Sequence, residues 1–162
     1  MGEIGLDYCR TKDEEGRSRQ RCYLRKMLPL ACKDQWPVVI HCREERTGET
    51  RARDDLLPLM SEHLMSSHSV YLHCFRGTVA DVRVWQKAFP KTYFGIGKHL
   101  PAEEAFLAIP LSQIIIESDA PVVCESPGEL IDVLMTLSRT INFPVHGLTH
   151  QARWNARRFY RF

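Results

Sequence analysis

Five short apolar runs punctuate the chain, at Glu3–Asp7, Val38–His41, Val70–His73, Tyr93–Gly97 and Gln113–Glu117. Each is rich in Ile, Val, Leu or aromatic residues and has the length of a strand. They are apolar throughout rather than alternating, the pattern of parallel strands buried on both faces. Helical spacing fills the intervals. Ser18 to Asp34 carries Cys22, Leu24, Leu28 and Ala31 on one face, with Pro29 expected to kink or break it. Asp54 to Leu64 reads as a second helix, interrupted by Pro58. Thr78-Val79-Ala80-Asp81 resembles a capping box opening a third, which runs to Phe89 and stops at Pro90. Pro101 opens a short helix through Ala108. Ser126-Pro127-Gly128-Glu129 has the residues of a helix start, and that helix runs to about Arg139. A last helix spans roughly Thr149 to Phe159. Repeated βα units predict an α/β fold with a parallel sheet and helical crossovers.

Composition narrows the class. The 162 residues are 44% hydrophobic and 26% charged, which excludes a disordered or collagen-like chain. No apolar stretch approaches the ~20 residues of a membrane helix, and no secretory leader is read at the start. Lys and Arg total 22 against 20 Asp and Glu, too even a balance to advertise nucleic acid by charge alone. Basic residues do crowd two places, Arg10 to Lys26 and Arg153 to Arg161, where solvated helix faces are the plain reading. The six cysteines, Cys9, Cys22, Cys32, Cys42, Cys74 and Cys124, form no CxxC pair, which argues against a zinc ribbon. They read as reduced thiols of an intracellular protein, nuclear or cytoplasmic.

Chemistry concentrates at the strands. In βα folds the C-terminal ends of the strands carry the ligands and the reaction. The first run carries Glu3 and Asp7, the second leads into His41-Cys42-Arg43, the third into His73-Cys74-Phe75, and the fifth into Glu117-Ser118-Asp119. Two imidazoles with two or three carboxylates form a metal-ligand set suited to Zn, Mn, Co or Fe, and carboxylate-rich sites also take Mg. Each residue alone has an ordinary reading: a hydrogen-bonded histidine, surface acids, or an Asp opening a turn. Their coincidence on separate strands is what carries the argument. His63, His68, His146 and His150 read as structural or solvent-facing, while His99 follows the fourth strand and could reach the site.

These segments resemble a known family. Gly2-Glu3-Ile4-Gly5-Leu6-Asp7-Tyr8 is similar to the GEIGLDY signature of TatD-type deoxyribonucleases. Residues 37–43 resemble that family's PVIIHCR, and residues 72–77 its HCFSG. Residues 93–97 resemble its YIGIGG strand, 116–121 its LETDAP, and 155–159 its terminal N-x-x-R-L-F helix. The motifs come in family order over nearly the whole chain, nearest to the eukaryotic TatD-domain-containing branch. The resemblance implies a TIM-barrel hydrolase of the metal-dependent type, cleaving phosphodiesters of nucleic acid, DNA ahead of RNA, with 3'-5' exonuclease action among the family's modes. It implies two divalent ions (Mg, Mn, Zn and Co being indistinguishable), with Glu3 bridging them, His41 and His73 completing the second, and Asp119 on the first and orienting the attacking water. Arg43 and Arg76 are then placed to meet phosphate oxygens. Glu117 would orient a neighbour rather than bind metal.

The departures matter as much. The family opens its metal site with an HxH pair, and no His-x-His occurs here. An eight-stranded barrel needs roughly 250 residues, and five strands are legible. The expectation is an incomplete (β/α)8 barrel, with residues 1–162 forming its C-terminal portion, the N-terminal strands missing, and little activity alone. Arg76 replaces the family's small Ser, Lys98-His99 replaces a Gly, and the loop at Val122–Ser126 is shortened. Two other readings stand beside the nuclease: a non-catalytic or partner-binding remnant, and a related metallohydrolase acting on an ester, lactone or amide.

Overall fold

The computed structural model describes residues 1–44 and 51–162. They group into two compact units, Met1–His73 with Trp85–Thr92, and Cys74–Val84 with Tyr93–Phe162. The five strands pair in parallel with their neighbours inside each unit and alternate with helices, as the apolar runs require.

The first unit contains β1 (Ile4–Asp7), α1 (Glu14–Lys33), β2 (Val38–Arg43), α2 (Ala52–His63) and β3 (Val70–His73). In register, Gly5 stands beside His41, and His41 beside His73. Leu6, Val38, Ile40, Val70 and Leu72 are buried with Leu24, Leu28 and Ala31 of α1 and Leu56, Leu59 and Met60 of α2. Pattern alone starts α1 at Ser18; it starts at Glu14, because the Asp13 carboxylate accepts the Gly16 N–H at 2.7 Å and caps it. That bond holds the Asp13 carboxyl below its ordinary pKa. Neither expected break occurs. Pro29 lies inside α1 and Pro58 inside α2. Both rings are exposed, so water can satisfy the carbonyl each one orphans.

Behind β1, Tyr8 is fully buried. Its hydroxyl donates to Asp55 Oδ2 at 2.5 Å, and Arg21 Nη1 donates to both oxygens, at 2.9 and 3.0 Å. The Arg17 guanidinium lies 4.8 Å over the Tyr8 ring. Burial, and then the Asp55 carboxylate, push the Tyr8 hydroxyl up to about 12.

The second unit contains most of β4 (Thr92–Ile96), then α4 (Glu103–Leu107), β5 (Ile114–Ile116), α5 (Leu130–Thr140) and α6 (Val145–Tyr160). A single 3-10 turn precedes β5 at Leu111–Gln113, and another leads into α5 at Pro127–Glu129. Both capping boxes form. Thr78 and Asp81 exchange bonds at the start of α3 (Val79–Ala88), and Ser126 with Glu129 does the same before α5. Phe94 meets Phe75 edge-to-face at 4.9 Å, and Tyr93 meets Phe159 at 5.5 Å. Asn155 is wholly buried on α6. Its amide nitrogen donates to the carbonyls of Leu111 and Ile114, at 2.7 and 2.8 Å, and its oxygen accepts from Gln151 at 2.9 Å. The last helix is thus tied to the entry of β5.

Two outcomes follow. Asn155→Leu leaves two carbonyls without their amide partner and should cost about 2–4 kcal/mol, read as a lower urea midpoint against wild type. Tyr8 ionises at a higher pH when folded than when unfolded, so its contribution is complete below about pH 10 and lost as pH rises towards about 12. Urea midpoints across that range should fall, and Tyr8→Phe should flatten the fall.

Candidate active site

Side chains on a strand alternate between faces, so Val39, His41 and Arg43 of β2 point the same way, and Gly5 of β1 lies between Glu3 and Asp7 in the chain. Gly5 supplies the gap between its two acidic neighbours. Its φ is +153°, and a Cβ there would lie 1.8 Å from the His41 carbonyl oxygen, so no other residue fits against β2. With no side chain at position 5, the His41 ring reaches both carboxylates: Nδ1 is 2.5 Å from Glu3 Oε1 and Nε2 is 3.3 Å from Asp7 Oδ2. The other Glu3 oxygen faces His73 Nε2 at 3.7 Å, and the two imidazoles are 6.5 Å apart. Glu3, His41 and His73 are therefore brought together within the first unit. One detail differs from the strand-end reading. β1 begins at Ile4, so Glu3 stands just before the strand and Asp7 at its C-terminal end. The main chain of residue 3 lies outside the ladder, whose next rung is the Val39 N–H on the Met1 carbonyl at 2.9 Å.

Asp7 is the residue the motif reading undervalues. Its carboxylate accepts the Arg10 N–H at 2.9 Å and lies 3.6 Å from Arg43 Nη1. Gln20 of α1 brackets its main chain, accepting the Asp7 N–H at 2.7 Å and donating to its carbonyl at 3.2 Å. The two-residue spacing Glu3-x-Gly5-x-Asp7 is the signal that could have found it; Gln20 leaves no such trace.

The remaining candidates lie in the second unit. Glu117 follows β5, its N–H on the Ile96 carbonyl at 3.1 Å, and its carboxylate accepts the Cys74 N–H. That bond ties Glu117 to the turn entered directly after His73. Asp119 has a left-handed φ of 50°, and its carbonyl accepts the N–H groups of Val122 and Val123 at 2.8 and 2.9 Å. Arg76 and His99 are exposed. Lys98 pairs with Glu129 at 2.9 Å, which raises the lysine pKa and lowers the carboxylate's. Of the other histidines, His68 is buried and bonded to the Trp36 carbonyl at 2.7 Å, and His146 and His150 are exposed. His63 Nε2 is buried with no hydrogen-bond partner among the described residues.

The donors around Glu3 are of the kinds that a divalent cation takes, with His41 Nδ1 hydrogen-bonded directly to Glu3 as the site stands. Two imidazole nitrogens face the two oxygens of one carboxylate, the mixed set that transition ions and zinc prefer. His41 also has a carboxylate on its far nitrogen, the arrangement that orients metal-binding imidazoles. Among the described residues no helix is long and apolar enough to cross a membrane.

Comparison with known proteins places the chain. It is 31% identical over 180 residues to the human protein named 3'-5' RNA nuclease TATDN2, covering 99% of this chain and 22% of that protein. A Klebsiella pneumoniae protein named 3'-5' ssDNA/RNA exonuclease TatD is 30% identical over 129 residues, covering 75% of this chain and 44% of its own. The Schizosaccharomyces pombe Deoxyribonuclease Tat-D is 29% identical over 126 residues, covering 75% of this chain and 37% of its own. The chain thus spans less than half the length of these curated relatives. An uncharacterized amidohydrolase from Saccharomyces cerevisiae, known from its crystal structure, shares the fold with a TM-score of 0.61 at 17% identity. That match covers 89% of this chain and 47% of the other. The family model for TatD related DNase matches residues 1–161, and the chain belongs to that family.

Proposed function

We propose that the chain carries the cation-binding and proton-accepting residues of a metal-dependent phosphodiester hydrolase that acts on single-stranded nucleic acid, removing nucleotides from the 3' end. The observation that carries the reading is Glu3 facing both His41 and His73. The nuclease names of the relatives support the substrate class. Glu3, His41, His73 and Asp119 would hold two divalent ions, which when bound make a water acidic and neutralise phosphate charge. Asp119 accepts the proton of the attacking water. Arg43, half-buried beside Asp7, presents its planar fork to a phosphate oxygen, and exposed Arg76 meets the strand further out. Six cysteines without a CxxC pair support the reducing nucleus or cytoplasm as its compartment.

Residues 1–162 are, in the same reading, the C-terminal portion of a longer barrel domain. Support comes from the missing His-x-His and from the share of the relatives' length that is covered. The missing pair also favours the second reading, a remnant that binds a cation or partner without cleaving.

The test pairs zinc or manganese stoichiometry with cleavage of labelled DNA and RNA single strands, in a form extended upstream through a His-x-His strand. Asp119→Asn should lower cleavage by about 100-fold or more and retain cation. His41→Ala and His73→Ala should each lower cation content, and Arg43→Ala should weaken strand binding alone. Wild-type cleavage by Asp119→Asn would sink the nuclease reading. Full cation content without cleavage of either strand would favour the remnant or, if esters or amides were cut, the other metallohydrolase. The 162-residue chain itself leaves strand edges that a closed barrel would pair. It should self-associate with rising concentration in sedimentation, and a monomer at all concentrations would contradict this.

A further inference from the structure

We infer that Asp7 is a positioning residue that sets the His41 imidazole for cation binding and holds Arg43 beside it, so that one carboxylate couples the cation site to the strand-binding arginine. The inference rests on the cation site proposed above and adds a residue to it. The His41 ring lies between two carboxylates, Glu3 on Nδ1 and Asp7 on Nε2. Without a cation, the 2.5 Å contact to Glu3 takes the ring proton on Nδ1; a cation held by Glu3 would need that nitrogen's lone pair and would leave the ring proton to Nε2. Asp7 Oδ2 is the acceptor there, at 3.3 Å. A carboxylate on the far nitrogen fixes the tautomer and raises the basicity of the ligand.

Three features make Asp7 a rigid mount rather than a passing contact. Gln20 clamps its N–H and its carbonyl, the Arg10 N–H fixes Oδ1, and only 18% of the side chain is exposed. The oxygen facing His41 also faces Arg43 Nη1 at 3.6 Å. Asp7 lies opposite Arg43 in the ladder, and His41 shares Arg43's face of β2 two residues earlier, so all three side chains sit on one short stretch of sheet. Loss of Asp7 should therefore be felt at both places, whereas loss of Arg43 should be felt at one.

The experiment titrates Zn²⁺ by calorimetry into the full 162-residue chain and into Asp7→Asn, Asp7→Ala and Arg43→Ala, with the histidine ring nitrogens followed by ¹⁵N NMR. Wild type is expected to bind Zn²⁺ with a His41 ring protonated at Nε2, its proton slow to exchange. Asp7→Asn keeps the shape and the Gln20 clamp, and should weaken Zn²⁺ binding about 10-fold or more. Asp7→Ala should lose the protected Nε2 proton as well, whereas Arg43→Ala should keep it. Zn²⁺ affinity in both Asp7 variants within threefold of wild type, with the Nε2 proton still protected, would overturn the inference. Wild type leaving the His41 and His73 resonances unmoved at saturating Zn²⁺ would overturn the cation site itself, and this inference with it.

Discussion

Everything at the candidate site depends on how closely β1 lies against β2. The chain comes near enough to β2 that a side chain is impossible at Gly5, against the His41 carbonyl, and is crowded at Gly2, against Val39. That closeness leaves a gap between Glu3 and Asp7. The imidazole reaches across it with one nitrogen for each acid. The register that sets Gly5 beside His41 also sets His41 beside His73, bringing the second ring onto the other oxygen of Glu3. One missing side chain and one ladder thus arrange a four-residue cluster that would otherwise repel or disperse.

A part-buried polar scaffold stands behind this face. Tyr8, next in chain to Asp7, is anchored by Asp55 of α2 and Arg21 of α1, and Arg17 covers its ring. Gln20, on the same helix as both arginines, grips Asp7 itself. Helix α1 therefore does more than fill the crossover: it fixes the end of β1 through side chains at positions 17, 20 and 21, one turn of helix. Polar networks of this kind are costly when half-satisfied and rigid when complete.

Much of the architecture was legible because it depends on local pattern. Five unbroken apolar runs became five parallel strands, and both capping boxes formed where Thr78 and Ser126 announced them. Pro29 and Pro58 misled for a physical reason: a proline breaks a helix where its orphaned carbonyl is buried, and whether these sit on the wet face is decided by packing. The early start of α1 came from Asp13 and Gly16, a cap without the acidic partner that completes a box. The set Glu3, His41 and His73 was readable from motifs. The tie between Asp7 and His41 was not, since it joins residues 34 apart through a register no single stretch of chain contains. Gln20 and Asn155 act in the same long-range way, through side-chain amides that look unremarkable in the sequence.

Asn155 also has a bearing on how the protein is made. Its amide holds the carbonyls of Leu111 and Ile114, residues synthesised more than forty positions earlier. Until the last helix has cleared the ribosome exit tunnel, the start of β5 lacks its partner and the second unit stays open. The first unit is under no such restraint, because its last segment, Trp85–Thr92, is made long before α6. Synthesis therefore imposes an order on the two halves, the first being able to form before α6 is made.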